Sequence, residues 1–465
     1  MRTTYSSLLG TVGLVSCHAD GPQSTNRVFT TMYAITNVSI TDVENGITIP
    51  GQTVIIVAEQ IIQIGRQENV PIPPGTTVIE GEGLYLMPGL VDAHVHYYDA
   101  PIFGRLMIAN GVLLVRDMGM PNEYILPLRD ELNRGETLGP HMVTTGLILD
   151  GDPPLIPLIS VGITSPDQGR TIVRQQAEAG VDSIKTYSRL DKSVFLAILD
   201  EAQKYDLPVA AHLPESVYLE DAAAAGLASS EHFNGFEKVI AKLLGEPARF
   251  YFVGQAADAG YLSRLGEVDP QELQAVYEQL GESVLTVCPT VVTFKTLTHI
   301  STIQGGSFPG SQYIAPGVFE MWKMLWAQQS DLPGFIWQNW MQMVVGLNQA
   351  GVPLMVGTDL MLPGIVPGFS VHEEMAIWQE AGIPAVDILR SATIVPAQFM
   401  GLGDRLGSVS AGKTASIVLV RGNPLIDIRN AQQIEGLFLR GQYFSSNDLN
   451  QLLLDAVNLS QSPTP

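Results

Sequence analysis

Two hydrophobic patterns alternate along the chain. Residues 28–82 and 416–445 alternate apolar and polar positions between Gly and Pro breaks, which is typical of half-buried strands joined by turns. The middle, about 86–400, instead alternates short apolar runs with longer stretches of helical periodicity. Because the strand-rich segments flank the middle, we predict one small β-sandwich domain built from both chain ends, 28–85 and 403–446.

The middle segment contains eight short apolar runs. They are 86–96, 112–119, 141–149, 183–189, 208–214, 229–233, 284–292 and 353–360. Between most of them lie stretches such as SPDQGRTIVRQQAEAG, which open with a helix N-cap residue and end at Gly. Eight strands alternating with helices favour an α/β fold, a (β/α)8 TIM-type barrel over residues 86–402. No Gly-x-Gly-x-x-Gly phosphate loop supports an open doubly wound sheet.

The amino terminus has the layout of a secretory signal. Arg2 precedes a short apolar stretch and then small residues, and the stretch is too short to span a bilayer. We therefore predict a signal peptide over residues 1–19 and an exported protein, periplasmic or extracellular. The sequence before Cys17 also resembles a bacterial lipobox, so lipidation of Cys17 and a membrane tether are one alternative. Ordinary cleavage after Ala19 is the other.

Composition narrows the classes of function. The chain has 25 Lys and Arg against 47 Asp and Glu, a net charge of −22. No nucleic-acid partner is expected, because neutralising phosphates requires clustered basic residues. With Cys17 removed or lipidated, Cys288 is the only free thiol of the mature domain, so no intrachain disulfide is expected and Cys288 is predicted to be a core residue. Residues 447–465 are predicted only as a C-terminal tail.

Potential metal ligands concentrate at the ends of the predicted barrel strands. Four of the eight histidines lie there, together with one aspartate and one lysine. Strand side chains alternate, so the two histidines of the first run face the same side. The strand carboxyl ends form the active-site rim of such barrels, so the set predicts a metal site. The candidates are His94, His96, Lys185, His212, His232 and Asp359.

These motifs together resemble the amidohydrolase superfamily. PGLVDAHVH resembles its first-strand signature, IKTY its fourth-strand lysine motif, AAHLP and SSEHF its histidine strands, and VGTD its eighth-strand aspartate. The segment GLGDRLGSVSAGKTASIVLVRGNPLIDI resembles the family's return into the β-domain. The resemblance covers nearly all of the mature chain and is strongest to the lysine-carbamate branch, with imidazolonepropionase- and prolidase-like enzymes.

The resemblance implies a metal-dependent hydrolase with two divalent metal ions, most often zinc. It places His94, His96 and Asp359 on one ion and His212 and His232 on the other. Carbon dioxide would convert Lys185 into a carbamate that bridges both. Asp359 would act as the catalytic proton shuttle in the hydrolysis of a carbon–nitrogen bond, in an amide, peptide or cyclic amide.

Several alternatives stay open at this point. The His212-x-x-Glu215 spacing is that of mononuclear deaminases, in which Glu215 would be the acid and Lys185 irrelevant. A lactone or ester hydrolase would use the same site. A non-catalytic metal-binding relative is a remote alternative. Lys185 would in the simplest case be an ordinary lysine paired with Asp182 or Asp191.

The substrate-facing residues are predicted less directly. Tyr187 lies two residues beyond Lys185 and is expected at the same rim, where its hydroxyl would be a catalytic hydrogen-bond donor to an oxyanion, or simply pack. Arg116 would bind a substrate carboxylate or pair with Asp117. The remaining substrate-binding candidates are Tyr97, Tyr98 and His372.

An aromatic-rich connection precedes the eighth run. Residues 293–352 contain four of the five tryptophans, so this segment either covers an apolar substrate or packs as a helical hairpin or dimer contact. The i, i+4 spacing of Trp322 and Trp326 is typical of a buried helix face. We expect a small apolar or aromatic amide or dipeptide as substrate, and a homo-oligomer.

Overall fold

The computed structural model describes residues 31–247, 260–327, 331–360 and 362–461. The predicted signal peptide and Cys17 lie outside the described residues. The strands are β1 (Met32–Asp42), β2 (Ile47–Val57), β3 (Gln60–Arg66), β4 (Thr77–Glu80), β5 (Tyr85–Pro88), β6 (Leu90–Val95), β7 (Val112–Asp117), β8 (His141–Thr144), β9 (Ile148–Gly151), β10 (Ser160–Ile163), β11 (Ile184–Thr186), β12 (Val209–Ala211), β13 (Ser229–Glu231), β14 (Thr286–Cys288), β15 (Ile417–Val420), β16 (Ile434–Leu439) and β17 (Gln442–Ser445).

Helices separate most of the strands in the middle of the chain. They are α1 (Ala100–Ala109), α2 (Asn122–Arg134), α3 (Pro166–Ala179), α4 (Lys192–Gln203), α5 (Leu219–Ala224), α6 (Phe236–Leu243), α7 (Pro270–Gly281), α8 (Val291–Thr298), α9 (Ile300–Gln304), α10 (Pro316–Trp326), α11 (Gly334–Gln349), α12 (Phe369–Ala381), α13 (Ala385–Ser391), α14 (Ile394–Phe399) and α15 (Ser446–Gln461). Short 3-10 helices cover Gln67–Asn69, Gly260–Glu267, Ser311–Tyr313 and Ile428–Gln432. Within the described ranges, no helix combines the length and apolarity needed to cross a membrane.

Strands from both chain ends join in one mixed sheet. Its order is β17-β16-β15-β5-β1-β2-β3, and β4 pairs in addition with β1. The two ends meet where β15 runs antiparallel to β5, with Val418 opposite Met87. Ile35, Val54 and Ile417 are buried together in the core of this sheet. Strands from the two segments with the alternating pattern therefore belong to one sheet.

The strands of the middle segment pair in parallel. One sheet has the order β6-β7-β8 and the other β10-β9-β11-β12-β13-β14. The third predicted run is divided: β8 pairs with β7, whereas β9 pairs with β10 and β11. The eighth run, 353–360, makes isolated parallel bridges to both sheets, Leu354 to Val287 and Leu360 to Val95. The result is a mixed α/β fold with parallel sheets.

Local sequence explains how the strands and helices alternate. Every residue of β6 and of β7 is buried, as expected for parallel strands covered on both faces. Helix α3 begins at Ser165, whose hydroxyl accepts from the Gln168 amide, and Pro166 occupies its first position. It ends at Gly180, which has a φ of +83°. Each such helix returns the chain to the start of the next parallel strand.

The aromatic-rich connection packs as helices. Trp322 and Trp326 are buried on α10, and the ring of Trp340 on α11 stacks on Phe294 at 4.4 Å. This agrees with the packing interpretation for these rings. Cys288 is a buried free thiol, as predicted.

The segment predicted only as a tail contains a helix. Helix α15 packs against α1, and its residue Ala456 is buried against Leu106 and Tyr313. Its apolar positions fall at helical spacing, which is the signal that the prediction of a tail overlooked.

Candidate metal centre

The six predicted ligands lie together at the carboxyl ends of the parallel strands. The Nε2 atoms of His94 and His96 are 3.5 and 3.6 Å from Oδ1 of Asp359, and Nε2 of His232 is 3.9 Å from its Oδ2. The ring centroids of His212 and His232 are 4.8 Å apart. Nitrogen and carboxylate oxygen at these separations can share a divalent cation, and zinc prefers such a set. We call these residues, with Lys185, the ligand cluster.

Strand geometry brings the ligand cluster together. His94 and His96 are two residues apart at the end of β6, so their side chains leave the strand on the same side. His232 and Asp359 have φ values of +58° and +54°, and Thr290 at the end of the neighbouring strand has +47°. Left-handed backbone is uncommon for residues other than glycine and is often retained at functional sites. Three such residues therefore mark the same rim.

Hydrogen bonds to Nδ1 orient three of the histidines. Nδ1 of His94 is 2.7 Å from Oε2 of Glu231, and Nδ1 of His96 is 2.9 Å from the carbonyl oxygen of Gly119. Since that carbonyl only accepts, Nδ1 of His96 carries the proton and Nε2 presents its lone pair. Burial lowers the pKa of His96 to about 4, so the ring is neutral at pH 7. His232 is held in the same way, with Nδ1 2.6 Å from Oγ1 of Thr290.

Two polar atoms of the cluster have no hydrogen-bond partner among the described residues. They are the ammonium nitrogen of Lys185, on a residue that is 1% exposed, and Nδ1 of His212. Burial lowers the pKa of Lys185 to about 8, opposed by the nearby carboxylate of Glu231. The ordinary pairing considered for this lysine does not form, because Asp182 instead accepts from Arg129 and Asp191 precedes helix α4.

Leaving such groups buried and unpaired costs about 1–3 kcal/mol each. A carbamate formed on Lys185 and shared cations would satisfy both atoms. The arrangement therefore fits a metal centre better than a structural polar core.

Beneath the ligand cluster lies a second buried group that the sequence did not reveal. We call it the support cluster: Arg116, Ser229 and Glu231. Both oxygens of Glu231 accept from Nη2 of Arg116 at 3.0 Å, and Ser229 donates to Oε1 at 2.6 Å. Although burial opposes it, the positive charges of Arg116 and Lys185 hold the pKa of Glu231 below its usual value. Glu231 stays ionised and fixes His94 from behind.

The support cluster corrects the expectation for Arg116. Its Nε donates to the carbonyl oxygen of Ala93 and its remaining nitrogens to Ser229 and Glu231, so the guanidinium has no free edge for a substrate carboxylate. It does not pair with Asp117 either. The Asp117 carboxylate accepts instead from Thr144 and from the backbone amide of Tyr97.

The other candidates divide between the rim and the core. Tyr187 stacks on the His212 ring with centroids 4.3 Å apart, so it belongs to the rim. Tyr98 is 41% exposed beside the ligand cluster, whereas Tyr97 is fully buried and cannot line a pocket. His372 is also buried, on α12, where Nε2 bonds the carbonyl oxygen of Asn110 just before β7. This corrects the expectations for Tyr97 and His372, because neither side chain reaches the rim.

Comparison with known proteins assigns the chain to a family. The model of the amidohydrolase family matches residues 85–443. Among solved structures, bottromycin amidohydrolase is 22% identical with a TM-score of 0.75, over 92% of this chain and 90% of that one. A Xaa-Pro dipeptidase with bound methionine in the active site is 19% identical with a TM-score of 0.65, over 89% of this chain and all of that one.

A curated relative matches only locally. Adenine deaminase of Paracoccus denitrificans is 40% identical over 48 residues, which span 10% of this chain and 8% of that protein. At these identities the solved structures show the fold alone, whereas the family model covers more than half of the chain. The protein is therefore a member of the amidohydrolase family and a hydrolytic enzyme.

Proposed function

We propose that this enzyme is a metal-dependent hydrolase that cleaves a carbon–nitrogen bond of a small substrate. The observation that carries the proposal is the buried ammonium of Lys185, which has no hydrogen-bond partner among the described residues and acts on the pKa of four surrounding histidines. A structural lysine would be paired or solvated. A lysine that becomes a bridging carbamate has to be buried, close to the ligands, and able to lose its proton.

We also propose the architecture that positions this centre. The parallel strands would form a closed (β/α)8 barrel over residues 86–402, and the end strands a β-sandwich from 28–85 and 403–446. The closure is supported by the 353–360 segment, which bridges to β14 on one side and to β6 on the other. It is also supported on the opposite side, where the Asp182 amide donates to the Thr144 carbonyl.

In this proposal each ligand has a definite role. One ion would be held by His94, His96 and Asp359, the other by His212 and His232, with carbamylated Lys185 shared between them. Two bound divalent ions, zinc for this set of donors, would supply a water of near-neutral pKa and polarise the substrate carbonyl.

The protein's own groups then manage protons and charge. The Asp359 carboxylate, whose Oδ1 lies 3.5 and 3.6 Å from Nε2 of His94 and His96, would accept a proton from the attacking water and return it to the leaving nitrogen. Burial raises the pKa of Tyr187, which keeps its hydroxyl protonated. That hydroxyl can donate to the oxyanion of the tetrahedral intermediate, since its ring already stacks on His212.

The carbon–nitrogen bond is favoured by the family and by the names of similar structures, an amidohydrolase and a Xaa-Pro dipeptidase. A small amide or dipeptide is the substrate class that we propose. Lactone or ester hydrolysis on the same centre stays the alternative, because the same water attacks either carbonyl.

A mononuclear deaminase is a second candidate, and the local match to adenine deaminase is its specific support. It would use Glu215 as the acid. Glu215 is exposed, however, and no described hydrogen bond ties its carboxylate to the ligand cluster. The unpaired Lys185 would also have no role in that reaction, so we favour the binuclear hydrolase.

Metal analysis of Lys185→Met tests the proposal. We expect close to two divalent ions per chain in the wild type and at most one in the variant. We expect its activity on amides and dipeptides to fall at least about 100-fold, the upper end of losses from altered metal support. Lys192→Met is the matched control, because that lysine is partly exposed and paired with Asp221. If Lys185→Met kept its metal and its activity while Glu215→Gln lost its activity, the results would favour the deaminase.

A further inference from the structure

A narrow apolar cleft has in its wall Leu360, the residue that follows Asp359 of the ligand cluster. It lies between α1, α10 and the chain that follows the eighth run, and its free volume is about 50 Å³. One water needs about 10–15 Å³ by the same measure, so the cleft has room for a slender apolar group. Its lining includes Tyr98, Phe103, Tyr313, Trp322 and Leu360. We call this feature the aromatic cleft.

The aromatic cleft is continuous with the reaction site along the chain. Leu360 directly follows Asp359, and its carbonyl oxygen accepts from the His96 amide. Tyr98 lies two residues after His96 and packs edge-on against Phe103, with ring centroids 4.8 Å apart. A substrate side chain in the cleft would therefore be only a few bonds away from a carbonyl held at the ligand cluster.

The walls of the cleft are backed from outside. Leu106 and Tyr313 line it and pack on their other side against Ala456 of helix α15. Apolar side chains held from both sides make a pre-formed binding surface rather than one that must assemble around the ligand.

Charge selects against one kind of ligand. Among the described lining residues, Asp99 is the only charged one. One of its oxygens accepts from the Ile102 amide at the start of α1. A carboxylate on the bound group would be repelled there, because no lining cation offsets the charge of Asp99.

We propose that the aromatic cleft binds an uncharged apolar side chain of the substrate, no larger than that of leucine, adjacent to the bond that is cleaved. This assignment rests on the proposed function and names its substrate class. Ala315 has the smallest side chain in the lining, so it is the position at which the cleft can be filled without touching the ligand cluster.

The test compares three N-acetyl amino acid amides, those of valine, leucine and glycine. We expect wild-type kcat/KM to favour the two apolar substrates at least about 10-fold, the lower end of discrimination in an apolar pocket. Ala315→Phe should reduce that preference below about 3-fold by lowering kcat/KM for the two apolar amides. The matched control is Ser307→Phe, which places the same ring in a separate cavity beside Lys295. An unchanged preference in Ala315→Phe, or an equal loss on all three amides, would overturn the assignment.

A binding experiment separates this proposal from the reaction itself. If the wild type cleaves none of the amides, the proposed reaction fails for this class, and the cleft is tested with 4-methyl-1-pentanol, which cannot be hydrolysed. Calorimetric binding to the wild type and at least 10-fold weaker binding to Ala315→Phe would still support the cleft. Equal binding, or none to either protein, would refute it. Binding of 4-methylpentanoate should be weaker than that of the alcohol and recover in Asp99→Asn.

Discussion

The ligand cluster and the support cluster are both buried and charged, but only one of them is complete. In the support cluster every nitrogen of Arg116 and both oxygens of Glu231 have partners within the protein. In the ligand cluster the charged end of Lys185 has no partner among the described residues. Burial and charge alone therefore do not identify a catalytic centre. An unsatisfied cation among neutral histidines is the better indication, because it costs about 1–3 kcal/mol unless something else binds there.

The backbone shows the same difference. The support cluster projects from regular positions in β7 and β13, whereas the ligand cluster includes His232 and Asp359 in left-handed backbone. Partnerless polar atoms also occur elsewhere among the described residues, such as the Trp340 indole nitrogen, which lies on the regular helix α11. The two clusters therefore differ in role: the support cluster is rigid, whereas the ligand cluster keeps polar atoms without partners.

Breaking the support cluster should have the largest effect. Among the described residues Glu231 supplies the only carboxylate bonded to buried Arg116, so Glu231→Gln should reduce the free energy of unfolding by about 3–5 kcal/mol. Urea unfolding monitored by far-ultraviolet circular dichroism measures it. The double variant Arg116→Met/Glu231→Gln is the control, and it should lose less than the sum of the single losses. Additive losses would mean that the two residues are not a unit.

A buried histidine outside both clusters extends the comparison, because its titration makes the stability of the protein depend on pH. Buried His372 has an unpartnered Nδ1, and burial lowers its pKa to about 4. Below its ordinary pKa of about 6.5 the unfolded chain takes up a proton that the folded state does not, so stability falls as the pH drops from about 6.5 to 4.

The loss of stability assigned to His372 is about 3 kcal/mol at pH 4, because its pKa is about 4 in the folded protein and about 6.5 in the unfolded chain. His372→Gln keeps a donor for the Asn110 carbonyl and removes the titration, so its unfolding free energy should fall less over that range. The difference from wild type at pH 8, where the histidine is neutral in both states, serves as the baseline. Parallel wild-type and variant profiles would contradict the assignment.

The next effect is on metal affinity rather than stability. Thr290→Val removes the hydroxyl bonded to Nδ1 of His232 and keeps the branched shape. Loss of such a partner weakens metal binding by about 10–100-fold. Titration with a competing chelator measures the affinity, and Thr298→Val, at the other end of α8 and bonded to the Lys295 carbonyl, is the control. Equal affinity in the two variants would show that Thr290 does not orient the ring.

The sequence predicts that the ligand-cluster residues lie together, because the argument needs only the geometry of single strands and of parallel strand ends. Alternation within one strand puts His94 and His96 on one side, and the ends of parallel strands share an edge. The support cluster was missed because Arg116 and Glu231 are 115 residues apart and meet only after the strands pair. The buried position of Tyr97 was missed because the expectation rested on its directly following His96, whereas consecutive side chains of an extended chain point to opposite sides.

The fold likewise has parts that the sequence predicts and parts that it does not. The strands and their parallel pairing follow from hydrophobic runs, but the break between β8 and β9 follows from contacts with different neighbours on each side. The helical spacing of α15 could be recognised in the sequence, but its packing against Leu106 of α1 and Tyr313 could not. Features that depend on one segment can therefore be predicted from the sequence, whereas features that depend on contacts between two distant segments cannot.

The smallest effect has the opposite sign and separates the two clusters most clearly. In protein stripped of metal by a chelator, Lys185 is a buried ammonium without a partner among the described residues, so replacing it with methionine should increase the free energy of unfolding by of the order of 1 kcal/mol. The same variant should be inactive, because no bridging ligand remains. Urea unfolding in the presence of the chelator measures the gain, and Lys238→Met is the matched control. Lys238 is also buried, but its ammonium donates to the carbonyls of Pro214 and Val217, so its loss should destabilise the protein. If both variants lose stability, Lys185 is a structural residue like Lys238, and the distinction between an open and a complete buried cluster fails.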